Sequence, residues 1–425
     1  MSGLRHPLTV PRGIALMMNI VIGAGLLALP GLAVRQAGDH AFLGWVLCAL
    51  ASLPLLGAFI LLGRRYPNAG GIAHYADVGF GRRGYVAASF LLLGAVLFGL
   101  PSIALTGGHY LAALTGLPPY ATGLMLLACA TLLHLAPSEA VSRVNSVMAV
   151  TITLAVVGLA IAGLAFAGAA ADGGAQGGVG PLIPEEISLS RAAAPFMMLF
   201  FAFTGWEIAA NTAEEFRNPR RDFPLAMLAS YAVTVALYLA IAYLAQRLDL
   251  GGRYETAFAT IARASLGAAG ETAVALLAGT IILANLAGAI WAVSRLVFSL
   301  SREGVLPEVF ARTRGGSPWV AVMTTALALA AVIGASGAGL FRLDWMLALS
   351  GQNFLILYGV AAMALFRVGR NLLERMLAVG VGLLALALVL AQGLAIAYPL
   401  ALVALGILVA ELRAGRLAPS SAPLP

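Results

Sequence analysis

The chain has 425 residues, 61% hydrophobic and 10% charged, where soluble domains carry about 25% charged residues; an ordinary water-soluble protein is excluded. The net charge of +7 rests on 25 basic residues, all arginine, and their placement has a topological cause that calls for no nucleic-acid partner. Cys48 and Cys129 sit in apolar runs and read as small packed side chains, giving neither a disulfide framework nor a metal site. The start, MSGLRHPLTVPRG, is too short and polar for a cleaved signal peptide, so the first span is expected to stay.

Twelve stretches are each apolar over nearly 20 residues, the length that crosses a bilayer. They run about 12–34, 41–62, 84–113, 119–136, 141–168, 191–216, 224–246, 271–300, 318–337, 343–366, 372–391 and 394–411. An even number of spans puts both termini on one side. With the N-terminus inside, 18 arginines fall on inner segments and 6 on outer ones, so N-in and C-in is expected. Arg295 lies within the eighth span, where its long stem can carry the charge to the interface. Among the connections, 63–83 is basic at both ends and Gly-rich, and is expected to hold a short helix at the inner face. Residues 169–190 read as an outer loop. Residues 248–270 suit an outer amphipathic helix able to act as a lid. Residues 1–412 form one membrane domain, with repeats at about 12–168 and 191–366, two extra helices at about 372–411, and a disordered inner tail at 413–425 rich in Pro and Ser.

Two spans are interrupted. The first holds Gly23-Ala24-Gly25 at its centre. Its GxG spacing is poor for ridge-on-ridge packing, and a backbone break there frees N–H donors suited to an anion. The sixth reads FMMLFFAFTGWEIAA. Gly205 weakens a helix by up to about 1 kcal/mol relative to Ala, and the ionised carboxylate of Glu207 costs roughly 3 kcal/mol at mid-depth. Interruptions in the first and sixth spans are the mark of an inverted repeat of five helices, with a binding site between the broken pair. A zwitterion is satisfied there by freed amides on one side and freed carbonyls on the other.

Four stretches carry a family likeness: IGAGLLALPG at 22–31, RYPNAGGIAHY at 65–75, FAFTGWE with EEFRNPRRDFP at 201–224, and REGVLPEVF at 302–310. In this order they resemble the amino acid–polyamine–organocation (APC) transporters, whose fold is an all-α, LeuT-type 5+5 inverted repeat with discontinuous first and sixth helices. The wording at 65–75 is most similar to a bacterial subgroup that exports methionine and branched-chain amino acids. The resemblance implies secondary active transport across a bacterial inner membrane. It places the substrate carboxylate on the backbone of Gly23, Ala24 and Gly25, next to Ile22, and the ammonium near Phe201, Ala202, Phe203, Thr204 and Gly205, with Phe201 as the gating aromatic. Many members have Ser where this chain has Ala24, so only backbone donors remain here. Sodium-independent members often carry a fifth-span Lys; here that position is Ile152, flanked by Thr151 and Thr153, and coupling to a proton, to sodium or to exchange stays open.

Glu207 has three readings: a structural carboxylate holding freed first-span amides, a proton-linked switch, or a contact for a cationic substrate. Trp206 and Trp291 are gates facing the cavity or anchors against lipid. Asn19, Asn285 and Asn353 suit interhelical hydrogen bonds, and His109 and His134 suit packing near span ends. No metal-ligand spacing occurs, and no cofactor is expected. Around the interruptions the side chains are apolar, including Met17, Leu100, Ile103, Phe201 and Phe203, so a neutral apolar amino acid fits best. Methionine, leucine, isoleucine and valine are the candidates, separated by only about 1–3 kcal/mol per methylene. An intramembrane enzyme would need a second mid-depth catalytic group, and a channel would need a continuous pore; neither is expected. An uptake symporter, an exchanger or a non-transporting amino acid sensor of the same fold are the alternatives, and the oligomeric state is open.

Overall fold

The computed structural model describes residues 8–22, 24–66, 71–133, 158, 161, 183–248, 250–314, 317–391 and 393–414. The expected fifth span apart from residues 158 and 161, with Thr151, Ile152 and Thr153, lies outside the described residues, as do His134, Gly23, residues 169–182 of the expected outer loop and the tail beyond 414. Among the described residues the chain is helical throughout, apart from isolated bridges such as Leu8 to Phe216.

Each helix follows from an apolar run bounded by a break in pattern. The first span is split into α1 (Val10–Val21), opened by Thr9 and Pro11, and α2 (Ala24–Ala37). A short Gly38–His40 turn leads into α3 (Ala41–Arg65). Then come α4 (Gly71–Thr115) and α5 (Pro119–Leu132). The sixth span is fragmented into α6 (Leu189–Ala193), α7 (Phe196–Phe200), a tight 3₁₀ turn at Phe201–Phe203 and α8 (Trp206–Ala209). α9 (Asp222–Arg247) has an acid in its first turn and an arginine in its last, each complementing the helix dipole. α10 (Ala257–Arg302), α11 (Trp319–Gly337), α12 (Leu343–Val368), α13 (Leu372–Leu390) and α14 (Ala397–Leu412) complete the chain. The Asn371 side chain caps α13 by accepting the Glu374 N–H at 2.9 Å. Seven of the described helical stretches are long and apolar enough to cross a membrane.

Two long helices are each bent once, and in the same way. α4 turns at Gly81 (φ 67°, ψ −163°) and α10 at Gly267 (φ 70°, ψ −165°). Nothing lies within 4 Å of where a Cβ would sit at either, so glycine is needed for its backbone sign rather than for space. The first bend leaves a short helix at 71–80 in the basic connection, and the second leaves one at 257–266 in the segment expected to act as a lid. The two bends fall at matching places, after the second span and after the seventh.

α4 and α12 share the most extensive helix–helix contact, with α1 lying against α9. The core is one large apolar cluster running through α1–α5, α7–α13 and the 3₁₀ turn. Charge collects at the two ends of the bundle. At one end Arg35 pairs with Glu255 and lies 3.4 Å from Asp344, which Arg342 holds at 2.9 Å. At the other, Arg65 grips both oxygens of Glu374 at 2.7 and 2.8 Å, and Glu303 takes Arg82, Tyr85 and Ser299.

Candidate functional site

At the first break α1 stops at Val21. Ile22 is extended (φ −77°, ψ 102°) and its N–H donates back to the Met18 carbonyl at 2.7 Å. The helix resumes at Ala24, so the amides of Ala24 and Gly25 open a first turn with no intrahelical acceptor. Ile22 and Gly25 are buried.

At the second break the 3₁₀ turn ends on Thr204, extended at φ −95°, ψ 170°, followed by Gly205 at φ 104°, ψ −17°. That left-handed backbone is why glycine stands here. The Thr204 N–H and hydroxyl both donate to the Phe201 carbonyl, at 3.2 and 2.7 Å. The freed Gly205 N–H donates to both oxygens of Glu207, at 3.1 and 2.9 Å. Tyr358 of α12 donates its hydroxyl to Glu207 Oε2 at 2.5 Å. Among the described residues the partners of this buried carboxyl are one backbone amide and one tyrosine hydroxyl. Among the described residues its amide partner belongs to its own span, and not to the first span, whose amides one of the three readings of Glu207 invoked.

The two breaks touch. A Cβ on Gly25 would lie 3.0 Å from the Cβ of Ala202 and 3.1 Å from its Cα, so the absence of a side chain sets how closely α2 meets the 3₁₀ turn. Tyr238 of α9, fully buried, points its hydroxyl at the Val21 carbonyl (3.1 Å) and the Ala202 carbonyl (3.0 Å). Its ring sits edge-on to Trp45 at 5.3 Å and to Phe203 at 5.5 Å. Tyr110 of α4 donates to the Leu27 carbonyl at 2.8 Å, at the level where Pro30 interrupts the α2 hydrogen-bond ladder.

Ile22, Gly25, Ala202, Phe203, Thr204 and Gly205 thus gather in one neighbourhood. Phe201 is only half-buried, with its ring edge over Gly99 of α4 close to Ser350 of α12. Trp206 is buried against Tyr231 at 5.6 Å, and its indole N–H has no partner among the described residues. Trp291 on α10 is different: it is 48% exposed, and the Arg295 guanidinium lies 3.7 Å from its ring centroid. No ring contact joins it to Phe201 or Trp206 among the described residues. The sequence reading did not single out Tyr238, Tyr358 or Tyr110. The available signal was a tyrosine inside an apolar span, which needs a hydroxyl partner when buried.

A separate cavity of about 340 Å³ opens at the Arg35 end, lined by Arg35, His109, Tyr120, Glu255, Arg342 and Asp344. Its charges are paired with one another. In the turn between α2 and α3, a hydrogen bond to His40, together with Arg191, holds the Asp39 carboxyl below its usual 3.8. Among the described residues no cluster of His, Cys, Asp and Glu could hold a metal ion. Chemically, amides opening a half-helix attract an anionic group and carbonyls closing one attract a cationic group, so a small molecule carrying both meets both at the joined breaks.

Comparison with known proteins agrees with the membrane reading. The model of the family described as "Amino acid permease" matches residues 8–409. The uncharacterized amino acid permease YecA of Bacillus subtilis (strain 168) is 28% identical over 412 residues, 95% of either chain. The L-methionine/branched-chain amino acid exporter YjeH of Escherichia coli (strain K12) is 28% identical over 264 residues, 61% of either chain. The putrescine transporter PotE of the same strain is 24% identical over 320 residues, 73% of this chain and 71% of that one.

Proposed function

The chain belongs to the amino acid permease family, a family of membrane-embedded, multi-pass transporters of small molecules, and on that premise we propose that it moves neutral apolar L-amino acids across a bacterial inner membrane by alternating access, as an exporter. Methionine, leucine, isoleucine and valine are the proposed substrates. The observation that carries this reading is the contact of the two breaks, with Gly25 against Ala202 and one tyrosine hydroxyl reaching carbonyls of both. In the proposed site the backbone of Ile22, Gly23, Ala24 and Gly25 takes the carboxylate. Carbonyls of Phe201, Ala202 and Thr204 take the ammonium. Phe203 and Gly205 complete the turn, and Phe201 closes over the substrate, with Trp206 and Trp291 as further gates.

The matched bends at Gly81 and Gly267 support the proposed 5+5 inverted repeat within 1–412, and the arginine distribution supports N-in and C-in. Export is favoured by the likeness to the Escherichia coli exporter YjeH. The test is counterflow in proteoliposomes loaded with unlabelled leucine. Labelled methionine and leucine are expected to accumulate transiently and arginine is not; exchange of arginine without leucine would sink the apolar-pocket reading. Repeating the assay with an imposed pH or sodium gradient separates proton coupling, sodium coupling and simple exchange.

A further inference from the structure

The last three turns of α10 carry aromatic and basic residues in alternation. Trp291, Arg295, Phe298 and Arg302 follow one another at intervals of four, three and four residues, which puts them on one face of the helix. Trp291 is 48% exposed and Arg302 is exposed, while Leu286, Val293 and Leu300 on the opposite face are buried. Leu276 and Thr280, earlier in the same helix, are exposed as well. The open face thus runs through most of the span, as a surface that meets lipid does.

In the N-in topology proposed above, α10 runs from outside to inside, so Arg295 lies about 10 Å deeper than Arg302 at 1.5 Å per residue. A stem reaching for the inner interface would extend past Phe298. Instead the guanidinium lies over the Trp291 ring, one turn deeper, 3.7 Å from its centroid, because long side chains on a helix lean toward its N-terminus. Of its five N–H donors, one reaches an acceptor among the described residues, the Trp291 carbonyl at 3.3 Å. No carboxylate pairs with it among those residues. The acid nearest in sequence, Glu303, is taken by Arg82, Tyr85 and Ser299. Arg302 repeats the arrangement nearer the interface, its guanidinium 5.7 Å from the Phe298 ring centroid.

A cation at membrane depth without an anion is costly, and local thinning of the bilayer brings headgroups toward it. At a face open to lipid the anion at hand is a headgroup phosphate. Two guanidiniums with no acid between them favour a lipid of net negative charge over a zwitterion, whose own cation they repel. We propose that this face of α10 binds an anionic phospholipid of the inner leaflet. Its phosphate meets Arg302 at headgroup level and is drawn inward toward Arg295, and Trp291 and Phe298 lie against the glycerol and the upper chains.

The test uses the full chain in vesicles of phosphatidylcholine mixed with phosphatidylglycerol, with bromine on the chains of one lipid or the other. Bromine quenches a tryptophan that its chain touches, and subtracting the signal of Trp291→Phe isolates position 291. The quantity read is the preference for phosphatidylglycerol over phosphatidylcholine there. Each arginine near an anionic headgroup is worth about fivefold in affinity, so a wild-type preference of about twentyfold is expected. Arg295→Met, which removes the charge and keeps an apolar stem, and Arg302→Gln are each expected to lower it about fivefold. Inorganic phosphate added to the vesicles is expected to leave the preference unchanged; competition by it would make this a site for a free anion and overturn the lipid assignment. A wild type without preference, or a full preference retained in both variants, overturns the proposal. So does an absence of quenching by either lipid, which would turn Trp291 toward the cavity and leave it the gating role.

Discussion

The two breaks solve the same problem by different means. In the sixth span the break carries its own cap: Gly205 turns the chain at φ 104°, and Glu207, two residues on, accepts the amide that the turn exposes. Tyr358 then ties that carboxylate to α12. In the first span the break region, NIVIGAGLL at 19–27, offers no acid. Ile22 bonds back to α1, and α2 opens against the second break at the Gly25–Ala202 contact. A break that is capped from within is held open as a fixed structure. A break without a side-chain cap keeps its donors for something else. The expensive residue at mid-depth, Glu207, therefore marks the supporting half of the proposed site, while the plain glycines mark the half proposed to bind.

That contrast can be broken by substitution. The largest effect is expected at Gly25. In Gly25→Val the branched side chain meets Ala202 where a single methyl would already sit tight, at 3.0–3.1 Å, separating the breaks, and leucine counterflow is expected to drop by about a hundredfold or more while the protein still inserts and purifies. Wild-type flux in that variant would detach the first break from the site. Next comes the cap. Glu207→Gln places an amide N–H₂ where only donors approach, leaving one of them unmet, and is expected to cost about 1–3 kcal/mol of stability. Thermal unfolding in detergent reads this as a lowered midpoint, with Tyr358→Phe expected to show a smaller drop of about 1 kcal/mol.

Gly205→Ala forces a side chain into the left-handed region and is expected to destabilise by about 1–2 kcal/mol. Gly25→Ala, in ordinary helical backbone, is expected to perturb transport more than stability. Equal stability losses at both glycines would erase the distinction between a conformational glycine and a close-approach glycine.

The smallest effect lies away from both breaks, at Asp39. Its carboxyl is held below its usual 3.8 by His40 and Arg191. A depressed folded value means that its contribution is complete above the ordinary carboxylate range and is lost as pH falls through the folded value. In the most acidic part of a stability–pH profile the wild type should lose stability slightly more steeply than Asp39→Asn; identical acid limbs would show the ion pair to be idle.

Much of this was legible in the chain. Both interruptions could be placed to within a residue or two, because glycine pairs and an acid are rare at membrane depth and each has a backbone cost. The helices expected in 63–83 and 248–270 both occur, at 71–80 and 257–266. What could not be read was the partner of each polar group. Glu207 had three open readings in the sequence, and its pairing with the Gly205 amide of its own span was not among the partners that hydropathy suggests. The three buried tyrosines stood out only as polar atoms in apolar spans. Tyr358 and Glu207 are 151 positions apart, and Tyr238 and Val21 are 217 apart. Pairings of that range are set by how helices stack, which hydropathy does not encode.

The most direct measurement is equilibrium binding of labelled leucine to purified wild type, Gly25→Val and Glu207→Gln, each checked for folding by its elution and unfolding midpoint. Binding is expected to vanish in Gly25→Val and to stay within about threefold of wild type in Glu207→Gln despite its lower midpoint, a difference of less than 0.7 kcal/mol. Normal binding by Gly25→Val, or equal loss in both folded variants, would contradict the division between a binding break and a supporting one.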